Sequence, residues 1–250
     1  MKIKRENLYS LVGIGSIIVI WEIIGRFLIK KEYILPWPTV IIKFIFNNFH
    51  SLFLVHLPYT LLITVISLGI ALILGIGLGV LMDEFKTFEK ILYPVVVTSQ
   101  TLPITAIAPI FILWFGYSIW SKVIVAVLMI FFPITINVHT GLKSVKKEYL
   151  ELFKSMRASK KDIFFKLKVP STIPYFISSI KMALPLSLIG ATIGEWLGSS
   201  MGLGYFSKRM MTQLNGAGVF APIIIISVLA TLLVTLVNII ENKYVHWRNQ

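Results

Sequence analysis

Apolar residues run in long blocks along nearly the whole chain, separated by short polar stretches. A hydrocarbon layer of about 30 Å takes about 20 helical residues to cross, and lipid offers the backbone no hydrogen-bond partners, so such blocks read as helices. The blocks at 8–28, 57–81, 92–115, 123–142, 182–202 and 219–240 predict six spans. The expected fold class is therefore all-α integral membrane, a single transmembrane domain over residues 1–250. An even number of spans places both termini on one side. Between 38 and 55 lies a further apolar stretch in which Lys43, Asn47, His50 and Ser51 recur at helical spacing. One Lys at mid-membrane costs about 2.5–3.5 kcal/mol, so this stretch is expected to lie in the interface rather than cross.

Composition agrees with the pattern. Hydrophobic residues make up 56% of the chain and charged ones 14%, with a mean hydropathy of +0.84, which leaves no segment able to form an aqueous core of its own. The formal charge of +13 does not gather on one polar face, as nucleic-acid binding would require, but sits between the apolar blocks. With the amino terminus inside, sixteen basic residues fall in inner segments and seven in outer ones. The excess of Lys and Arg on the cytoplasmic side predicts a multi-pass protein of the cell membrane with both termini in the cytoplasm. No small-residue cleavage site closes the first apolar block, which is expected to remain as a span. There is no cysteine, hence neither a disulfide framework nor a thiolate metal site.

The longest inner loop, 143–174, contains no glycine. Tyr149, Leu152, Phe153 and Met156 recur at helical spacing and predict a short amphipathic helix. Ser159 with Asp162 three residues later resembles a capping box that starts a second helix, with Ile163, Phe164 and Leu167 on its apolar side and Lys168 on its polar side. The loop reads as helix, turn, helix.

The run EYLELFKSMRASKKDIFFKLKVPSTIPYF resembles the EAA loop of permeases in binding-protein-dependent ABC importers, whose pattern is E-A-A, three residues, Gly, nine residues, then I-x-L-P. Glu151 stands at the Glu position, Leu152 and Phe153 replace the alanines, Arg157 stands in place of Gly, and Leu167, Val169 and Pro170 close the motif. Leu35-Pro36 with Pro38, Thr60-Leu61, Leu102-Pro103, Ala108-Pro109, Trp114-Phe115-Gly116 and Gly202-Leu203-Gly204-Tyr205 are similar to the nitrate, sulfonate and taurine branch, which also holds permeases for thiamine pyrimidine precursors and riboflavin. The resemblance implies a type I importer permease acting as a dimer, here a homodimer. It also implies cytoplasmic ATP-binding cassette subunits and an extracytoplasmic solute-binding protein as partners. In that family the EAA loop couples to the ATPase, which assigns this role to Glu151, Leu152, Phe153, Met156, Arg157, Ala158 and Ser159. The branch suggests a small solute, a thiamine precursor or related nitrogen heterocycle, with sulfonate, taurine or nitrate as the alternative.

Three polar residues inside the apolar blocks, Gln100, Asn137 and Glu195, are candidates to line a solute pathway, with helix-to-helix hydrogen bonding as the competing reading. Gly75 with Gly79, and Gly190 with Gly194 and Gly198, have the four-residue spacing that lets helices approach closely, within the subunit or at a dimer seam. Glu22 and Arg26 form an i, i+4 pair. No GxxxxGK[ST] loop or HExxH helix is present, and His50, His56, His139 and His246 lack metal-ligand spacing. Catalysis, a metal and a cofactor are therefore not expected in this chain, and ATP with Mg belongs to a partner subunit. An ion-coupled secondary transporter or a non-transporting scaffold would share the helix count without the EAA spacing. The topology has a direct test in this cysteine-free chain. Of single cysteines at Asn47, Ser118, Ser159 and Asn215, only the one at Ser159 should resist an impermeant thiol reagent added outside intact cells, and labelling there would reverse the orientation.

Overall fold

A computed structural model describes residues 2–244, and the regular structure among them is helical. Arg248 and His246 lie outside the described residues, and so do the side chains of Lys2, Lys4 and Arg5. Helix α1 (Lys2–Ile23) passes into a π-helical turn, Ile24–Ile29. Helix α2 (Pro38–Asn47) follows, and a second π-helical turn, His50–His56, leads into α3 (Leu57–Glu84). Next come α4 (Lys86–Ser99), α5 (Ile104–Phe115) and α6 (Ile119–Lys143). The segment after α6 forms α7 (Lys147–Ser155) and α8 (Lys160–Ile163), which runs through a third π-helical turn, Phe164–Lys168, into α9 (Val169–Gly198). Helices α10 (Leu203–Thr212) and α11 (Gly216–Tyr244) complete the chain described.

The core is built from α3, α6 and α9, packed through Ile63, Ala71, Ile130, Ile134, Ala183 and Ala191. Glycine makes the approach possible. A methyl group added at Gly75 would stand 2.6 Å from Cγ2 of Ile134, and one at Gly79 would stand 2.8 Å from Cγ1 of Val138. The partner number rises with the glycine number, so α3 and α6 run parallel. At the other seam Gly190 faces Ala126 and Gly194 faces Lys122, so α6 and α9 run antiparallel. The repeated glycines thus serve packing within the subunit.

Parallel α3 and α6 constrain everything between them. The chain leaves α3 at one end of the bundle and must enter α6 at the other, so α4 and α5 together carry it back. Five helical stretches are long and apolar enough to cross a membrane, and the α4–α5 pair, bent by 101°, makes up to six when counted as one span. The uninterrupted helix expected over 92–115 is therefore corrected to a broken one. Proline is the cause: Pro103 disfavours helical geometry at Leu102, and it sits extended, with φ −70° and ψ 99°, at the start of α5.

Two further expectations change. The helix that contains 182–198 begins much earlier than the expected span, because the second helix of the loop does not stop: helix runs unbroken from Lys160 to Gly198, with the π-helical turn Phe164–Lys168 just before Pro170, which has no N–H to donate. Lys168 is not a solvated residue of that helix. Its Nζ donates to Oδ1 and Oδ2 of Asp83 at 3.0 and 2.7 Å, and the Asp83 side chain is only 3% exposed. Glu22 does pair with Arg26, at 2.9 Å, and also accepts from the backbone N–H and hydroxyl of Thr39, fastening α2 to α1.

Candidate functional site

The break between α4 and α5 opens a cavity of about 250 Å³ against α6 and α9. Its walls include Ser99, Gln100, Ile104, Met129, Phe132 and Met182. Here the short polar side chains mostly serve the backbone: the Ser99 hydroxyl donates to the carbonyl of Val96, and that of Thr101 to the carbonyl of Thr98. Gln100 is the residue that caps the C-terminal end of α4, and it is exposed. Asn137 does not line this cavity. It lies one turn beyond Pro133, and its Nδ2 donates to the Pro133 carbonyl at 2.7 Å. Neither Lys122 nor the partly buried Lys181 is among the residues of the cavity wall. Lys122 is 1% exposed with Nζ donating to the carbonyls of Tyr117 and Ser118, and Lys181 pairs with Glu241.

Glu195 belongs to a different constellation. Three successive N–H groups at the start of α10 are each met by a side chain from another element. Gly202 donates to Nδ1 of His56 at 3.1 Å, Leu203 to Oγ1 of Thr60 at 2.9 Å, and Gly204 to Oε2 of Glu195 at 2.7 Å. The first N–H groups of a helix have no partner of their own, and a carboxylate there also meets the positive end of the helix dipole. The structure thus gives Glu195, 1% exposed, an α10 N-terminal partner and places it outside the cavity of Gln100. Gly202 fits for two reasons. Its φ is +105°, and an added methyl would stand 2.2 Å from Cδ of Glu195. His56 and Thr60 were not singled out from sequence as partners, since nothing in local spacing links them to residues 143 or more positions away.

At the opposite end of α9 lies the helix-turn-helix. No residue of α7 is buried. Tyr149, Leu152 and Met156 are exposed, Met156 by 71%, while Phe153 and Ala158 are half-buried. Glu151 is exposed with Lys147 3.7 Å away. Arg157 takes the left-handed conformation, φ 55°, at the turn where the EAA pattern has Gly. Ser159 and Asp162 form a reciprocal capping box that starts α8. Two ion pairs brace the end of the bundle from which this loop projects. Besides Lys168 with Asp83, Glu89 of α4 pairs with Lys143 of α6 and lies 3.3 Å from Nε2 of His139. No group of three or more potential metal ligands occurs among the described residues.

Residues 71–246 match the family described as the binding-protein-dependent transport system inner membrane component. The chain belongs to that family. It is the transmembrane permease type of subunit of an ABC importer, a transport component and not an enzyme. Over 250 residues, the whole of both chains, it is 50% identical to the formylaminopyrimidine transport permease protein ThiX of Halalkalibacterium halodurans. It is 32% identical over 240 residues, 93% of this chain and 85% of the other, to the putative aliphatic sulfonates transport permease protein SsuC of Bacillus subtilis. Among solved structures, an inward-facing MetNI methionine ABC transporter shares the fold, with a TM-score of 0.65 at 16% identity over 74% of this chain and 92% of that one.

The α10 cap generates a prediction. Glu195→Ala strands the N–H of Gly204, and a buried unsatisfied donor costs about 1–3 kcal/mol. The variant should unfold at a lower temperature in detergent, whereas Glu195→Gln, which keeps an acceptor, should lose less. Wild-type unfolding of Glu195→Ala would remove the capping role.

Proposed function

We propose that two copies of this chain form the membrane pathway of an importer for a small, uncharged nitrogen heterocycle of the formylaminopyrimidine kind. The observation that carries the solute class is the 50% identity to a formylaminopyrimidine permease along the full length of both chains. The cavity at the α4–α5 break supports it on physical grounds. Its polar groups are neutral, Ser99 and Gln100, and its remaining walls are apolar and thioether, a lining suited to a ring with hydrogen-bonding edges. A sulfonate would be served by a cation, and Lys122 and Lys181 are both engaged elsewhere. Gln100 is assigned to solute contact, with Asn137, one turn of α6 beyond Pro133 of the cavity wall, on the cytoplasmic continuation of the path.

The amino and carboxyl termini and the α7–α8 loop are placed in the cytoplasm on the basic-residue asymmetry. Residues 151–159 dock there on an ATP-binding cassette subunit, which holds ATP and Mg, and a solute-binding protein docks at the far end. The exposed Tyr149, Leu152 and Met156 on a helix with no buried residue support this assignment, because apolar side chains at an aqueous surface gain by being covered. Nucleotide-driven movement of the ATPase then reaches the bundle through α8 and α9.

Two experiments test these assignments. Met156→Asp puts a charge at the centre of the docking face, where each fully buried apolar side chain contributes about 1.5–3 kcal/mol. The variant should insert normally yet lose co-purification of the ATPase or coupled transport; full retention of both would remove the coupling role. Separately, uptake of labelled formylaminopyrimidine should be competed by aminopyrimidines and not by taurine, and Gln100→Ala should raise the half-saturating solute concentration without lowering the amount of assembled complex. Competition by taurine alone would replace the heterocycle with a sulfonate.

A further inference from the structure

Helix α10 presents two unlike faces. Leu203, Phe206, Ser207 and Met210 are buried against the bundle. Tyr205, Lys208, Arg209 and Thr212, at helical spacing on the other face, line an open cleft of about 370 Å³ whose opposite wall includes Tyr117 and Trp196. Lys208 and Arg209 are exposed, and neither has an acidic partner among the described residues. This differs from the lysines inside the bundle, which pair with Glu241 or with backbone carbonyls. Tyr117 is 77% exposed, so the cleft has an aromatic rim as well as a cationic floor.

The cleft sits at the C-terminal end of α9. Thirty residues of helix, about 45 Å at 1.5 Å each, separate it from the start of α9, so it lies at the mouth opposite the α7–α8 loop. Unpaired Lys and Arg beside Tyr and Trp form the composition that carries binding energy at protein interfaces, with the aromatic rings supplying contact area and the cations steering an oppositely charged partner. A neutral heterocycle has no use for two cations, whereas an acidic protein surface complements them.

We infer that this cleft is a docking socket for carboxylate side chains of the extracytoplasmic solute-binding protein, with Lys208 and Arg209 receiving the carboxylates and Tyr117, Trp196 and Tyr205 packing around them. The inference rests on the permease reading and orientation proposed above. It adds which residues hold the partner and what chemistry that partner presents.

The test uses the full permease–ATPase complex in phosphatidylcholine nanodiscs, titrated with the solute-loaded binding protein of the same importer while ATP hydrolysis is followed. Reversal of both charges (Lys208→Glu with Arg209→Glu) should raise the half-saturating concentration of binding protein at least about ten-fold. Neutralisation (Lys208→Gln with Arg209→Gln) should raise it less and flatten its dependence on salt, while the exchange Lys208→Arg with Arg209→Lys should restore it. If the reversed form does not assemble with the ATPase, the neutralised form decides alone. Equal half-saturation and equal salt dependence in all forms would overturn the socket. So would a defect that appears only when phosphatidylglycerol is added, which would make the cleft a lipid-headgroup site. Absence of any stimulation in the unaltered complex would instead overturn the permease orientation itself.

Discussion

Apolar side chains gain nothing by leaving lipid for one another, so the bundle depends on how closely its helix backbones can approach. Gly75, Gly79, Gly190 and Gly194 set that distance, since each stands where a single added methyl would fall within 3 Å of a neighbouring helix. The register of these contacts fixes the direction of α3, α6 and α9. From it follows the return of the chain through α4 and α5, and from that return the bend at Gln100 where the cavity opens. The cavity is thus a by-product of the packing order, made where one passage cannot be straight.

Polar groups in such a bundle need partners close at hand, and most find them on their own helix. Thr64, Thr135, Thr172 and Thr192 each donate to a carbonyl four residues back. The α10 start is different, because its N–H groups lie at the end of a short helix with no preceding turn, and the acceptors come from His56, Thr60 and Glu195. This makes α10 a fixed ledge at one mouth of the bundle.

Periodicity located the apolar helices because a span must be long and apolar whatever surrounds it, and the capping box at Ser159 and Asp162 was legible because both residues act within one turn. Length was harder to read. Lys160, Lys166 and Lys168 read as part of a short loop helix separate from the next span, yet one helix runs on through all three, with Asp162 and Asp83 meeting two of the cations. The bend was written in Leu102-Pro103, but an apolar block of ordinary length masked it. For the candidate site, the sequence singled out Gln100 and Glu195 alike as polar residues in apolar blocks; which one faces a cavity and which one caps a helix depends on packing between distant segments. Arg157 shows the same limit: its identity argues against a left-handed turn, and the connection from α7 to α8 requires one.

The unbroken helix from Lys160 to Gly198 has a mechanical consequence. Its 39 residues make a rod about 58 Å long, with one end in the α7–α8 loop and the other against the α10 ledge. Pivoting about its middle by about 10° would sweep each end through about 5 Å in opposite senses, one helical pitch, so narrowing at one mouth and widening at the other become a single motion. Pro170, Pro174 and Pro185 lie along the shaft, and each removes one backbone hydrogen bond. The stiffness of this see-saw is therefore set at three positions away from both of its ends.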